Sequence, residues 1–290
     1  MTTTKELLRT WLTRQLAAPK RVWLEDQLDR LGGGAGERDL YIALGLAPRR
    51  LGRADLALLE GDLEQARAAR SGWDPRGLSV DQAARILMLL AEGSTGRAFA
   101  DRFRQLCRTA DLGEQIAFYR GLPLYPDPEL LEDQAAEGTR TNIKAVFEAV
   151  AHRSPYPMEQ FGENRWNHMV LKALFVGSTL APIQGLDARA NPELATMLHD
   201  YAHERWAAGR PVSPELWRCV GPFAEGAMVD DLERVLNTGS EVEQKAAMLA
   251  LASAPDPRAK DLLARNPAHA TAAASEALTW DRLSHELEAG

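Results

Sequence analysis

Histidine and acidic side chains crowd one short stretch of this 290-residue chain, His199-Asp200-Tyr201-Ala202-His203-Glu204. Four residues apart, the two imidazoles fall on one helical face, the spacing by which a helix presents two nitrogen ligands to one metal ion. A third ligand is missing from the local sequence and would have to come from His168, His152 or a distant carboxylate, so no metal and no cofactor is assigned. In the zinc-protease pattern a glutamate follows the first histidine; Glu204 follows the second, and so does not hold that motif's general-base position. The plainer expectation is a helix surface whose imidazoles are solvated or pair with nearby carboxylates.

A second grouping joins charge to aromatic surface between Phe161 and Phe223, a segment that holds Trp166, Trp206 and Trp217. Asp200, His203, Glu204 and Arg205 lie on consecutive turns, with Arg210 and Arg218 close in sequence. Such charges form ion-pair networks between stacked helices, because an unpaired buried charge is costly. They equally suit a polar pocket in which arginines grip a phosphate or carboxylate through paired hydrogen bonds, with Asn167 and Lys172 completing the site. The candidate ligand-binding set is therefore Asn167, Lys172, Asp200, His203, Glu204, Arg205, Arg210 and Arg218. On a helix, Arg165, His168 and Lys172 share one face and Trp166, Met169, Val170 and Ala173 another, a layout also compatible with a solvent-facing Lys172.

Other chemistries lack their residues. Cys107 and Cys219 are the only cysteines, 112 positions apart, which gives no Cys-x-x-Cys pair and no cysteine-rich zinc site. Neither has a histidine signature, and both read as small core residues. No paired-carboxylate motif or nucleophile elbow occurs, and Asp230-Asp231-Leu232-Glu233 reads as negative charge at a helix start. The run Gly32-Gly33-Gly34-Ala35-Gly36 follows a helical pattern, whereas a phosphate-cradling glycine loop follows a strand.

The elements that must carry these residues are helices. The chain holds 46 Ala and 41 Leu against 11 Val and 5 Ile, which favours helix and starves strands of β-branched residues. Apolar residues recur at three- and four-residue spacing, as in Leu8, Trp11, Leu12 and Leu16, and the pattern predicts an all-α chain of roughly sixteen helices. Asp127-Pro128, Asn191-Pro192, Ser213-Pro214 and Asp256-Pro257 each place a capping side chain before a proline and predict four helix starts. Glu114 to Pro128 aligns without a gap on Glu243 to Pro257, both ending in Pro-Asp-Pro. That likeness predicts stacked helical hairpins, a HEAT-like α-solenoid array with repeats at 111–153 and 239–290, in a single domain spanning 1–290.

Acidic residues outnumber basic ones, 41 to 34, and the basic residues are scattered, which argues against a nucleic-acid partner. The apolar stretch Met169 to Leu186 is broken by Lys172, Pro182 and Gln184 and falls short of the ~20 apolar residues of a membrane span. The N-terminus lacks a secretion-signal pattern, so the cytoplasm is the expected compartment.

Four strings carry a family likeness: Trp166-Asn167-x-Met169-Val170-Leu171-Lys172-Ala173-Leu174-Phe175, Gly185-Leu186-Asp187-x-Arg189-Ala190-Asn191-Pro192-Glu193-Leu194, Asp200-Tyr201-Ala202-His203-Glu204-Arg205-Trp206, and Pro214-Glu215-Leu216-Trp217-Arg218. Together with Glu37-Arg38-Asp39-Leu40-Tyr41 and Leu46-Ala47-Pro48-Arg49, they resemble the EboA family from about Glu37 to Phe223. Members of that family have no established catalytic activity. Their genes accompany those of a UbiA-type prenyltransferase, a sugar-phosphate cyclase and a TatD-type hydrolase, in a cluster tied to making or exporting a secondary metabolite. The resemblance implies a non-catalytic accessory protein of an ebo-type pathway, whose partners are other ebo-cluster proteins and a small polar metabolite. The alternative is an enzyme acting on a cyclitol- or sugar-like intermediate, with His203 and Glu204 as acid and base, Lys172 and Arg210 as anion contacts and Asn167 as a hydrogen-bonding group. An enzyme would gather these groups in one pocket; an accessory protein would leave them as interhelical pairs.

Overall fold

The computed structural model describes residues 2–265, 271 and 278–289, and among these the chain is an all-α array of 17 helices without a strand. A lone bridge between Asp55 and Ser79 is the nearest approach to sheet pairing among the described residues. The helices fall into two compact units, Met1–Gly162 and Glu163–Gly290.

The first unit runs α1 (Thr4–Gln15), α2 (Ala18–Gly32), α3 (Glu37–Leu51), α4 (Glu60–Ala69), α5 (Val80–Ala91), α6 (Gly96–Thr109), α7 (Leu112–Arg120), α8 (Glu132–Arg140), α9 (Lys144–Ala151) and α10 (Tyr156–Gln160), with short 3-10 turns at Leu122–Leu124 and Pro128–Leu131. Its centre is α5, whose sequence Val-Asp-Gln-Ala-Ala-Arg-Ile-Leu-Met-Leu-Leu-Ala is apolar on nearly every side. A helix of that kind has no face for water. It is therefore enclosed by α1, α2, α3 and α7. The enclosure traps two charges. Arg85, 1% exposed, donates from Nε to the Leu44 carbonyl (3.0 Å) and from Nη1 to Asp81 Oδ2 (3.0 Å) one turn earlier. Asp81 Oδ1 in turn accepts from the Ser79 hydroxyl at 2.7 Å. Burial pulls the Arg85 pKa down, opposed by the Asp81 and Glu114 carboxylates.

The second unit runs α11 (Glu163–Phe175), α12 (Pro192–Ala207), α13 (Leu216–Val220), a 3-10 turn at Gly221–Phe223, α14 (Ala227–Thr238), α15 (Glu241–Ser253), α16 (Pro257–Ala264) and α17 (Trp280–Ala289). Here α15 is central and packs against α13, α14, α16 and α17. Its buried Ala246, Ala247 and Ala250 let neighbours approach closely. At Gly221 a Cβ would lie 2.7 Å from the Ala250 Cα, so the turn before α14 can rest on α15 only with glycine there. Glu215 is 2% exposed, and its carboxylate accepts from Leu180 N–H (2.9 Å), Ala181 N–H (3.1 Å) and the Ser284 hydroxyl (2.9 Å), joining three segments of this unit.

Two of the four predicted Asx/Ser-Pro caps form. Asn191 Oδ1 accepts from Leu194 N–H at 2.8 Å, and Asp256 Oδ1 from Arg258 N–H at 2.9 Å. Asp127 instead adopts a left-handed backbone (φ 48°), precedes a 3-10 turn, and turns its carboxylate to Gly96 N–H. Ser213 makes no side-chain cap; α13 begins three residues later, and Glu215 makes the consequential contacts. The two internally similar segments share their opening structure. Asp111 with Glu114 and Ser240 with Glu243 form matching capping boxes, and Gln115 and Gln244 each reach back to a carbonyl five residues earlier. Their ends diverge, since α7 stops at Arg120 and α15 continues to Ser253. Part of the expected second repeat, at 266–270, 272–277 and 290, lies outside the described residues.

Removing one member of the Arg85–Asp81 pair leaves the other charged and buried, so Arg85→Met should cost about 3–5 kcal/mol in urea unfolding. Adding Asp81→Leu should recover most of that loss, because an apolar pair of similar volume is tolerated where a single buried charge is not. Equal instability of the single and double variants would show that packing volume, and not charge, decides the site.

Candidate functional site

Several of the nominated residues of the second unit are engaged by partners within the fold. Asn167 on α11 is 1% exposed and exchanges two hydrogen bonds with Asn191, donating at 3.2 Å and accepting at 2.8 Å. Its partner is the N-cap of α12, so Asn167 fixes where that helix starts. Lys172 sits 4.7 Å above the exposed Phe175 ring. Arg218 grips Asp187 with two bonds, Nε to Oδ1 at 2.6 Å and Nη2 to Oδ2 at 2.7 Å. Burial lowers the Arg218 pKa, and the Asp187 carboxylate more than offsets it, for a net upward shift. Arg205 donates from Nε to the Pro211 carbonyl at 3.0 Å, closing the turn that ends α12. Asp200, Glu204 and Arg210 are exposed. Although His203 and Glu204 are neighbours in the chain, successive residues of a helix point about 100° apart. His203 turns toward α14 and Glu204 is solvent-exposed.

What the structure does gather is a set only partly visible in the sequence. His199 and His203, one turn apart on α12, both direct Nε2 at the same oxygen, Asp231 Oδ2 on α14, at 2.8 and 2.6 Å. The carboxylate oxygen only accepts, so each Nε2 donates a proton in this arrangement. The imidazole rings meet edge to face, 4.7 Å apart, and His203 stands 5.4 Å from the Trp206 ring. Trp206 continues the wall to Trp217 at 5.9 Å and carries the Arg234 guanidinium 4.5 Å above it. Of His168, His152 and a distant carboxylate, it is a carboxylate that lies beside the two imidazoles. His168 bonds locally to the Asn164 carbonyl, and His152 belongs to the first unit. The Asp230-Asp231 pair is more than helix-start charge: Asp230 accepts from Arg258 at 2.9 Å while Asp231 serves the histidines. Asp231 was illegible as a site residue because 28 positions separate it from His203.

The first unit contains a cavity of about 170 Å³ between α7 and α9, bordered by Arg120, Glu148, His152 and Arg153 among others. Arg153 holds a left-handed backbone (φ 52°), a conformation rare outside glycine, asparagine and aspartate. Both guanidinium groups close around Gly77: an added Cβ there would touch Arg120 at 3.7 Å and Arg153 at 3.9 Å. Arg120 is anchored by bonds to the Arg76 and Gly77 carbonyls. Its pKa is pushed down to about 10, by burial first and by the like charge of Arg153 second, with Asp74 opposing. Asp74 is itself gripped by Arg76. Two arginines held together against their repulsion, one of them on a strained backbone, suit a small anionic group. No sequence motif joins positions 33 apart, so the pair is legible only in the fold.

A family model described as metabolite traffic protein EboA matches residues 4–221. The chain belongs to the EboA family. The match begins well before Glu37 and takes in the arginine cavity, α11, α12 and α13; Asp231 lies beyond its end. No curated protein and no solved structure matches this EboA family member. Among the described residues, no helix is long and apolar enough to cross a membrane.

Nucleophilic thiol chemistry is closed to this family member at neutral pH. Burial pushes the thiols of Cys107 and Cys219 up to about 12, and both side chains lie in the core. Ellman's reagent should therefore label neither cysteine in the folded protein and both in urea, and rapid labelling of the folded protein would contradict this. Asn167→Ala should lower stability by about 1–3 kcal/mol in thermal or urea unfolding, since it leaves the Asn191 amide without its partner and weakens the α12 cap. An unchanged unfolding midpoint would return Asn167 to the list of ligand contacts.

Proposed function

We propose that this chain is a non-catalytic accessory protein of an ebo-type secondary-metabolite biosynthesis and transport pathway, acting in the cytoplasm to hold a small polar metabolite and to dock other ebo-cluster proteins. The observation that carries this reading is the fate of the candidate site groups. Asn167 is occupied by Asn191 and Arg218 by Asp187, while Glu204 is exposed on a different helical bearing from His203. A general acid or base must lie within hydrogen-bond reach of a shared substrate atom, whereas Asn167 and Arg218 are held by partners within the fold and Glu204 points away from His203.

Membership of a metabolite-traffic family supports the transport half of the proposal. The Arg120–Arg153 cavity supports the binding half, because guanidinium pairs favour phosphate or carboxylate groups. At about 170 Å³ it is small beside the roughly 300–1,000 Å³ of sites that enclose a whole drug-sized ligand. It fits the anionic end of a metabolite and leaves the remainder outside.

The test is complementation of a strain lacking the gene, scored for exported pathway product. With Glu204→Gln the product should stay within about twofold of wild type. Loss of the roughly 100- to 10,000-fold that general acid–base catalysis supplies, in a protein of unchanged melting temperature, would instead establish the enzyme reading.

A further inference from the structure

We infer that His199, His203 and Asp231 form a binding site for a zinc-class divalent cation. The donor atoms all lie within 4.8 Å of one another. Two are imidazole nitrogens at the four-residue helical spacing and the third is a carboxylate oxygen from the neighbouring helix, a two-histidine, one-carboxylate set that zinc accepts. Such a set discriminates by chemistry: imidazole suits Zn²⁺, Co²⁺, Ni²⁺ and Cu²⁺, whereas Mg²⁺ and Ca²⁺ prefer oxygen ligands throughout.

The geometry requires a local adjustment. In a tetrahedral site with bonds of about 2.0–2.1 Å, donor atoms sit about 3.3 Å apart. The two Nε2-to-Oδ2 separations are 2.8 and 2.6 Å, so the ligands must part by about half an ångström. Freedom for that movement is unevenly distributed. His199 and Asp231 are held, with side chains 13% and 14% exposed, while the His203 side chain is 52% exposed and can swing outward. Both Nε2 atoms already point at the shared oxygen, the direction a cation between them would demand. On binding, each ring ligates as its neutral Nδ1–H tautomer: the proton now on Nε2 is given up to solvent while Nδ1 holds or takes up one, and the freed Nε2 lone pairs and the carboxylate take up the metal. Three protein donors fill three of four positions, and the fourth is left for water or for an oxygen of a bound molecule. Asp231 lies outside the stretch matched by the family model, so the site draws its third ligand from this chain's own C-terminal helices.

The experiment is titration of the full chain, purified without a histidine tag, with Zn²⁺ and separately with Co²⁺, Mg²⁺ and Ca²⁺. Calorimetry should give one equivalent of Zn²⁺ per chain, Co²⁺ should develop the absorption bands of a tetrahedral complex, and Mg²⁺ and Ca²⁺ should give no saturable signal. His203→Ala, at an exposed position, should weaken Zn²⁺ by more than the roughly 10- to 100-fold that partners outside the coordination shell contribute, and His168→Ala should leave it unchanged. In the wild-type protein, nitrogen-edited NMR should show the Nε2 protons of His199 and His203 disappearing together as Zn²⁺ is added, a readout that needs no variant. Unsaturable or substoichiometric uptake, equal affinity in His203→Ala, or persistence of both Nε2 protons at saturating Zn²⁺ would overturn the site.

Discussion

A helix that is apolar on nearly every side has to be surrounded, and α5 imposes that requirement on the first unit, while the buried alanine-rich face of α15 anchors the second. In the first unit, enclosure of α5 decides where α1, α2, α3 and α7 lie, and it commits Arg85 and Asp81 to each other because neither can reach water. In the second, the small residues of α15 set the distance of closest approach, and Gly221 is the position where that distance leaves no room for a side chain. Hydrophobic burial supplies the drive in both, while the polar contacts within the enclosure fix which neighbour sits where.

Helices other than the two central ones carry the candidate sites. α12 buries Leu194, Ala195, Leu198 and Ala202, which turns His199 and His203 toward α14 and leaves Glu204 in solvent. The same division of faces places Arg120 at the end of α7 and Arg153 just past α9, at the rim of the cavity in the first unit. Asn167 serves this arrangement without taking part in it: by holding the cap residue Asn191 it sets the register of α12, and hence the level at which the histidines meet Asp231.

Much of the fold was legible in the sequence because helical periodicity and alanine–leucine excess are local signals. Asn191-Pro192 and Asp256-Pro257 cap as their residue types dictate. Asp127-Pro128 and Ser213-Pro214 do not: the first is drawn off by the Gly96 N–H, and the second is followed by Glu215, whose carboxylate joins three segments. The site was half legible. His199 and His203 announce themselves by spacing, but Asp231 and the Arg120–Arg153 pair are brought in by tertiary packing, which no local spacing encodes. Conversely, Asn167 and Arg218 looked like ligand contacts because amides and guanidiniums serve binding and capping equally well; only the presence of Asn191 and Asp187 decides between the two.

A protein that moves a metabolite has to hold it and release it unaltered, and that distinguishes a carrier from an enzyme more directly than any arrangement of side chains. The decisive measurement is native mass spectrometry of the chain isolated from cells making the pathway product, followed by chemical analysis of what it releases. An anionic small molecule bound one to one, released unchanged after prolonged incubation and missing from an Arg153→Ala protein, is the expected result. Conversion of that molecule during incubation, or retention that is indifferent to Arg153, would contradict the carrier role.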